Sequence, residues 1–247
     1  MTGLLFPLAG LLAAALLWAA GAGWMESTTP VASAFAPMAT AEALQALLLG
    51  SDLWAHVAFS LQRVAVGLAI ALALGIPLGV LTGLSPLFST ATTPLFQFAR
   101  MISPLSWMPI AVMVLGVGDA PVYFLLAFAA VWPILLNTAA GVSQLDANWL
   151  LLARSLSATR IETLLSVVLP GITAHILTGV RLAIGIIWIV LVPAEMLGVS
   201  EGLGYFILDA RDRLAYSDLM AAILVIGFLG YLLDHAARSL HRRWLHA

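Results

Sequence analysis

Six long apolar segments constrain the fold of this chain more than any other feature of its 247 residues. A helix that crosses a membrane needs about 20 predominantly apolar residues. Only 9% of the residues are charged, too few to cover the surface of a soluble protein of this size. The sequence therefore predicts an all-α integral membrane protein, a single domain over residues 1–247 with about six transmembrane helices. The predicted spans are approximately residues 3–22, 57–81, 93–115, 121–140, 172–197 and 219–233.

The first apolar segment is predicted to be an uncleaved span. Ala20-Gly21-Ala22 fits the small-residue pattern of a signal-peptide cleavage site, but no basic residue precedes it, and the first in the chain is Arg63. The residues from 41 to 49 predict a short amphipathic helix outside the membrane.

Missing residue types exclude several kinds of chemistry. The chain has no cysteine and no lysine, so it can hold neither a disulfide nor a P-loop of the form G-x-x-x-x-G-K-[ST]. Its histidines lack the H-E-x-x-H spacing of a zinc hydrolase, and its net charge of -2 gives no nucleic-acid signal. No catalytic residue, no metal site, no cofactor of its own and no nucleic-acid partner are expected.

The arginines outside the predicted spans indicate an orientation. With six spans both termini lie on one side, and cytoplasmic loops carry the excess of basic residues. Both termini are therefore predicted to be cytoplasmic. The arginines on that side are Arg154, Arg160, Arg238, Arg242 and Arg243, against Arg211 and Arg213 on the other.

Polar residues within the third predicted span are candidates for a translocation pathway. Arg100, Ser103, Pro104 and Trp107 lie among several prolines, and broken helices at membrane depth are tolerated where they line a cavity. A membrane-embedded arginine often marks a pathway. Alternatively, Arg100 extends its side chain to the cytoplasmic interface.

Three further polar residues in later spans join these candidates. Asn137 is a pathway candidate, or it forms a hydrogen bond across helices. Arg181 and Glu195 share a helix face but are roughly 21 Å apart along the axis, too far to pair directly. Glu195 is expected to pair with another helix or subunit, or alternatively to relay protons.

Glycines at 75, 79 and 83 recur every fourth residue in the second span. Such a face lets another helix backbone approach closely. The pattern predicts a tight helix–helix contact there.

The segment from Asp146 to Pro170 is too polar to cross the membrane and reads as a leucine-rich helix pair. Exposed leucines on such an element favour docking to another protein. The alternative is a helix that lies on the lipid surface. The first helix is predicted from Asn148 to Ala158.

At this segment the sequence resembles the permease subunits of binding-protein-dependent ABC importers, over roughly residues 55–240. Their cytoplasmic loop carries an E-A-A-x-x-x-G motif followed by Leu-Pro. Here Leu151 takes the glutamate position and Ser157 the glycine position, so two motif residues differ. The matching residues are Ala153, Arg154, Leu156, Ala158, Leu169-Pro170, Thr178-Gly179, Arg181-Leu182 and Glu195-Met196-Leu197.

Two subgroups of the family share local sequence with this chain. Residues 100–107 and 132–138 are similar to nitrate/nitrite/cyanate permeases. Residues 209–211 and 217–218 are closer to taurine/alkanesulfonate permeases.

The resemblance implies a type I importer transmembrane domain in a bacterial inner membrane, with an N-terminal span and periplasmic segment (1–54) and an importer core (55–240). The chain itself is then not an enzyme, because ATP and Mg belong to two separate ATPase subunits. Its other partners are a second permease copy, giving a homodimer, a periplasmic substrate-binding protein and the lipid bilayer. The ATPase-coupling helix comprises Leu151, Leu152, Ala153, Arg154, Ser155, Leu156, Ser157 and Ala158.

The function implied is import of a small oxyanion of the nitrate/nitrite type. Alternatives are taurine/alkanesulfonate, cyanate or bicarbonate. A remote alternative is a secondary transporter without ATPase, in which the buried charges Arg181 and Glu195 would couple transport.

Overall fold

The computed structural model describes residues 2–26 and 29–245, which form helices and, within those ranges, no strand. Short 3₁₀ helices occupy Pro30–Phe35 and Pro104–Trp107, and a π-helical turn occupies Leu164–Val168. The α-helices are α1 (Thr2–Glu26), α2 (Pro37–Leu49), α3 (Asp52–Leu84), α4 (Pro86–Met101), α5 (Met108–Leu115), α6 (Asp119–Ser143), α7 (Ala147–Ser155), α8 (Arg160–Thr163), α9 (Leu169–Gly198), α10 (Leu203–Asp212) and α11 (Tyr216–Leu245).

The expected membrane-spanning character is confirmed. Within the described residues, five helices are long and apolar enough to cross a membrane, and a bent pair of helices makes a sixth if it counts as one span. Four of the five lie within α1, α3, α6 and α11, and the fifth runs from Arg160 to Gly198 through α8, the π turn and α9.

The third predicted span is not one kinked helix. Two helical segments, Pro86–Met101 and Pro104–Leu115, meet there at an angle of 89°. Ser103 has an extended ψ of 128° because a residue that precedes proline is disfavoured in the α region. The first segment also begins earlier than predicted, since the Ser85 hydroxyl accepts a hydrogen bond from the Phe88 N–H at 3.3 Å and caps α4.

The chain divides into two compact units. The first comprises Met1–Phe59 and Glu201–Phe228. In it the Trp18 indole N–H donates to the Phe35 carbonyl at 3.0 Å, and the Ser217 hydroxyl donates to the Ala34 carbonyl at 3.0 Å. A small apolar core forms around Phe206.

The second unit comprises Ser60–Ser200 and Leu229–Ala247, and its core lies between α6 and α9. Fully buried side chains from both helices fill that core, among them Leu125, Ile134, Ile187 and Leu191.

The predicted close contact at the glycine face of α3 is confirmed. A Cβ atom built on Gly79 would lie 2.6 Å from the Leu135 carbonyl oxygen and 2.6 Å from the Thr138 Cβ atom. A Cβ atom built on Gly83 would lie 2.5 Å from the Val142 Cβ atom. All three neighbours belong to α6, so the backbones of α3 and α6 approach as closely as they do only because these positions lack a side chain.

The π turn before α9 has a local cause. The Leu169 N–H donates to the Leu164 carbonyl, five residues earlier, which is the hydrogen bond of a π turn. The next residue, Pro170, has no N–H and cannot donate to a carbonyl of the preceding turn. This turn joins the α7–α8 segment to α9.

Candidate functional site

The residues predicted to function fall into separate places within the second unit. One group forms the short helix α7, a second lines a cavity at the α4–α5 bend, and two charged residues of α9 lie in two ion-pair clusters.

Both ends of α7 are stabilised by local hydrogen bonds. The Asp146 carboxylate accepts from the Asn148 N–H at 2.9 Å and caps the N-terminus. At the C-terminus the Ser157 N–H donates to the Arg154 carbonyl and the Ala158 N–H to the Ala153 carbonyl, both at 3.0 Å. These two bonds constitute a Schellman motif.

Ser157 adopts a backbone conformation that favours glycine. Its φ of +56° lies in the left-handed region, as a Schellman motif requires at this position. The motif's glycine position therefore has a structural meaning here, and the serine adopts the same conformation with some strain. The predicted helix ends three residues early, since Leu156, Ser157 and Ala158 form the cap.

The side chains of α7 divide into an inward and an outward set. Ala153 is only 5% exposed, whereas Leu151 is 58% and Leu156 73% exposed. Leu152 and Trp149 are also exposed. Leucine and tryptophan on the surface of one short helix make an apolar patch of the kind that binds another protein. Arg154 and Ser155 are exposed as well.

Two grooves of about 590 Å³ each flank α7. Trp149, Leu152 and Leu156 line one of them, together with Val167 and Pro170 from the segment that follows. The other lies between the opposite side of the helix and the α8 segment. Its lining includes Leu84, Leu150, Arg154, Ala158, Arg160 and Thr163.

A cavity of about 480 Å³ brings together three of the predicted pathway residues. Arg100, Pro104 and Asn137 line it, with Trp132 and Leu182 among the other lining residues. Within residues 2–26 and 29–245 the Arg100 guanidinium has no hydrogen bond or ion pair. The cavity therefore combines an apolar wall with a permanent positive charge that is available to an anion.

The other polar residues near the bend take different positions. The Asn137 amide donates at 2.8 Å to the Pro133 carbonyl of its own helix, and among the described residues no hydrogen bond of Asn137 crosses to another helix. Trp107 packs against Phe128 with ring centroids 5.8 Å apart and does not line the cavity. Ser103 is exposed in the turn after α4.

Glu195 is completely buried and is not among the lining residues of that cavity, and it belongs to an ion-pair network. The Arg63 guanidinium, 3% exposed, donates through Nη1 to Glu195 Oε1 at 2.8 Å and through Nε to Asp119 Oδ1 at 2.8 Å. The Ser60 hydroxyl contacts both Glu195 oxygens, at 2.8 and 2.9 Å. The network links α3, α6 and α9, so the predicted pairing of Glu195 with another helix is confirmed.

Arg181 belongs to a second cluster. Its Nε lies 3.5 Å from Asp234 Oδ1, and Arg238 Nη2 contacts the other oxygen of the same carboxylate. Arg181 and Glu195 are not paired with each other, as expected from their separation.

Several charged residues of these clusters were not singled out from the sequence. Arg63 gave a usable signal, because it is a lone charge within the second predicted span. Asp119, Asp234 and Arg238 gave none, since they lie at span ends, where charged residues are common.

Comparison with known proteins gives consistent matches. The sequence model for the binding-protein-dependent transport system inner membrane component matches residues 75–246. The bicarbonate transport system permease protein CmpB of Synechococcus elongatus is 39% identical, over 99% of this chain and 90% of its own length. The nitrate import permease protein NrtB of Leptolyngbya laminosa is 40% identical, over 75% of this chain and 67% of its own length.

A solved structure is similar in fold. A chain of the inward-facing MetNI methionine ABC transporter superposes with a TM-score of 0.59 at 16% identity, covering 75% of this chain and 92% of that one.

Proposed function

The chain belongs to the family of binding-protein-dependent transport system inner membrane components, and on that premise we propose that it forms the translocation pathway of an ATP-driven importer for a small oxyanion. It is a multi-pass inner-membrane permease with the type I importer fold. The observation that carries the oxyanion proposal is the cavity lined by Arg100, Pro104 and Asn137.

The proposed complex contains two copies of this chain, two ATPase subunits and a periplasmic substrate-binding protein. Without lysine the chain has no P-loop, so ATP and Mg would be bound by the ATPase subunits. Residues 1–247 would act as one permease domain, with both termini cytoplasmic as the arginine distribution predicts.

Coupling to the ATPase is assigned to α7 and its cap, residues 151–158. Support comes from the exposure of Leu151 and Leu156 and from the grooves that flank the helix. Ala153 faces its own chain, so its role is to pack α7 against the rest of the protein. A bulky residue at this position would displace the helix and would therefore not test the docking surface directly.

Passage of the anion is assigned to the cavity and the bend. Arginine carries a permanent charge and several donors suited to anionic oxygens. Ser103 and Trp107 lie in the bend between α4 and α5 and would shape it, whereas the buried Glu195 would hold helices together rather than contact the anion. Arg181 is not among the lining residues of the cavity and pairs with Asp234.

Uptake of labelled nitrate tests the proposal. In vesicles that contain the full importer, Arg100→Gln is expected to lower ATP-driven uptake by about tenfold or more, the scale of one charge-assisted hydrogen bond. Arg211→Gln is the matched control, since Arg211 pairs with Asp212 in an exposed contact at 2.8 Å and is expected to leave uptake unchanged. Normal uptake by an assembled Arg100→Gln complex would contradict the pathway assignment.

The nitrate/nitrite type is the first substrate candidate because residues 100–107, which form the cavity's edge and the bend, resemble nitrate permeases. Bicarbonate is the second, supported by the 39% identity to CmpB over nearly the whole chain. Taurine or an alkanesulfonate is the third candidate, supported by the local similarity at residues 209–211 and 217–218 and by the 33% identity to the taurine transport system permease protein TauC of Escherichia coli over 79% of this chain. Competition of each anion with labelled nitrate distinguishes them.

A further inference from the structure

We propose that Arg181, Asp234 and Arg238 form a second oxyanion-binding site. In the free protein the Asp234 carboxylate pairs with both arginines, and an external oxyanion displaces it. This site is separate from the cavity at Arg100. The inference therefore does not depend on which anion is transported, or on whether Arg100 contacts it.

The two guanidinium groups converge on one carboxylate. Arg181, on α9, lies 3.5 Å from Asp234 Oδ1, at the outer limit for a hydrogen bond. Arg238, one helical turn after Asp234 on α11, contacts Oδ2. The ion pair between Arg181 and Asp234 is thus the weaker of the two, and an incoming anion would break it first.

The charges in this cluster do not balance. Among the residues that the structure describes, two permanent cations share one carboxylate, which leaves one positive charge without a partner there. A net charge at the edge of a membrane-spanning helix is costly unless a counter-charge or water compensates it. Arg181 is 43% and Asp234 39% exposed, so a ligand can reach the cluster.

An unpaired donor independently indicates a missing acceptor. The Nε atom of Arg238 is buried, and in the described part of the chain it donates to no acceptor. Buried guanidinium donors are nearly always paired, and leaving one unpaired costs free energy. An oxyanion oxygen would satisfy this donor and balance the charge in a single contact.

The ligand chemistry is that of a compact oxyanion with several acceptor oxygens in a fixed arrangement. Guanidinium groups bind carboxylate and phosphate oxygens through paired donors, and Asp234 already has that chemistry. A free oxyanion such as nitrate and the phosphate of an anionic lipid headgroup both fit, and the experiment separates them.

Two thermal-unfolding experiments on three variants test the site. All variants carry Arg100→Gln as well, so that an anion bound at the first cavity does not change the unfolding midpoint. In the first arm, the full chain in a neutral detergent is unfolded thermally across a nitrate series, with chloride, which is not an oxyanion, holding the ionic strength constant. In the second, the chain is unfolded in phosphatidylcholine nanodiscs with or without phosphatidylglycerol. A bound ligand raises the unfolding midpoint in proportion to its occupancy.

Arg238→Lys keeps a cation beside Asp234 but removes Nε, and it is expected to weaken the apparent affinity by about tenfold. Asp234→Asn removes the internal competitor and is expected to strengthen the affinity by a similar factor of about ten. Arg211→Lys, in an exposed ion pair elsewhere, is expected to change nothing.

A midpoint that rises with nitrate identifies a free-oxyanion site, and one that rises only with phosphatidylglycerol identifies a headgroup site. Either result supports the proposal if the shift of the midpoint is smaller in Arg238→Lys. No response in either arm, or an equal response of Arg238→Lys and its background, overturns the site. If Asp234→Asn folds but its midpoint shifts less than that of its background, Asp234 does not compete with the external oxyanion. If that variant does not fold, the result for Arg238→Lys alone decides whether the site exists.

Discussion

At the scale of single residues, Ser157 links a family motif to backbone geometry. Its φ of +56° is costly for a residue with a Cβ atom, by about 1–2 kcal/mol, whereas glycine adopts it freely. The two Schellman hydrogen bonds at 3.0 Å hold it there. The sequence showed that serine replaces the motif's glycine, but only the structure shows which conformation the position requires.

We expect Ser157→Gly to stabilise the end of α7 by up to about 1 kcal/mol, since the relief of strain exceeds the added entropy of the unfolded chain. Hydrogen exchange at the Ala158 amide, which donates to Ala153, measures this directly. Ser155→Gly, within the helix, is the control and should accelerate exchange. Faster exchange in Ser157→Gly would contradict this account of the strain.

Glu195 is the residue whose partners the sequence left open. Its burial with Arg63 and Ser60 favours a structural role over a proton relay. Removing one partner of a buried ion pair costs about 3–5 kcal/mol, because the other charge stays behind. We therefore expect Glu195→Ala to be strongly destabilised in denaturant unfolding, with Asp212→Asn, in an exposed pair, close to wild type.

A double-mutant cycle with Arg63→Met completes this test. If the two residues act together, the double variant is less destabilised than the sum of the singles. A fully stable Glu195→Ala that nevertheless loses transport would instead support the relay.

At the scale of elements, periodic patterns were predictive and local breaks were not. Spacing of every fourth residue identified the glycine face of α3, and its contact with α6 follows from that spacing alone. The bend of 89° between α4 and α5 was not predicted, because several prolines in one apolar segment fit a kinked helix and a broken one equally well. The choice depends on where the segment packs.

The α3–α6 contact predicts opposite effects for two glycine substitutions. Gly79→Ala would place a Cβ atom 2.6 Å from the Leu135 carbonyl oxygen, and backbone cannot yield as a side chain can. We expect a loss of about 1–3 kcal/mol in stability, typical of overpacking. Gly185→Ala, within α9 and with nothing within 4 Å, should gain up to about 1 kcal/mol of helix propensity. Equal unfolding midpoints for the two variants would contradict the close approach.

The outward face of α7 carries the prediction for coupling. Leu156→Asp places a charge on the exposed patch and should abolish most ATP-driven uptake while leaving the stability of the isolated chain within about 0.5 kcal/mol. Leu214→Asp is the control, because Leu214 is similarly exposed and lies on the loop predicted to face the periplasm. Loss of uptake in both variants, or in neither, would contradict the docking role of α7.

At the scale of the whole molecule, composition and the loop motif were sufficient for the family and the fold. They were not sufficient for the site, because the residues that meet in space come from distant spans. Arg100 and Asn137 converge on one cavity, whereas Arg181 and Glu195 go to separate ion-pair clusters. No spacing rule in one sequence distinguishes these two outcomes.

We infer that this chain works as the membrane half of a complex whose ATPase is a separate protein. The most direct measurement is the mass of the intact complex, released gently from its native membrane and weighed by native mass spectrometry. We expect a mass that corresponds to two copies of this chain with two P-loop ATPase chains. A stable chain that is alone, or bound only to itself, would contradict it and support an autonomous transporter.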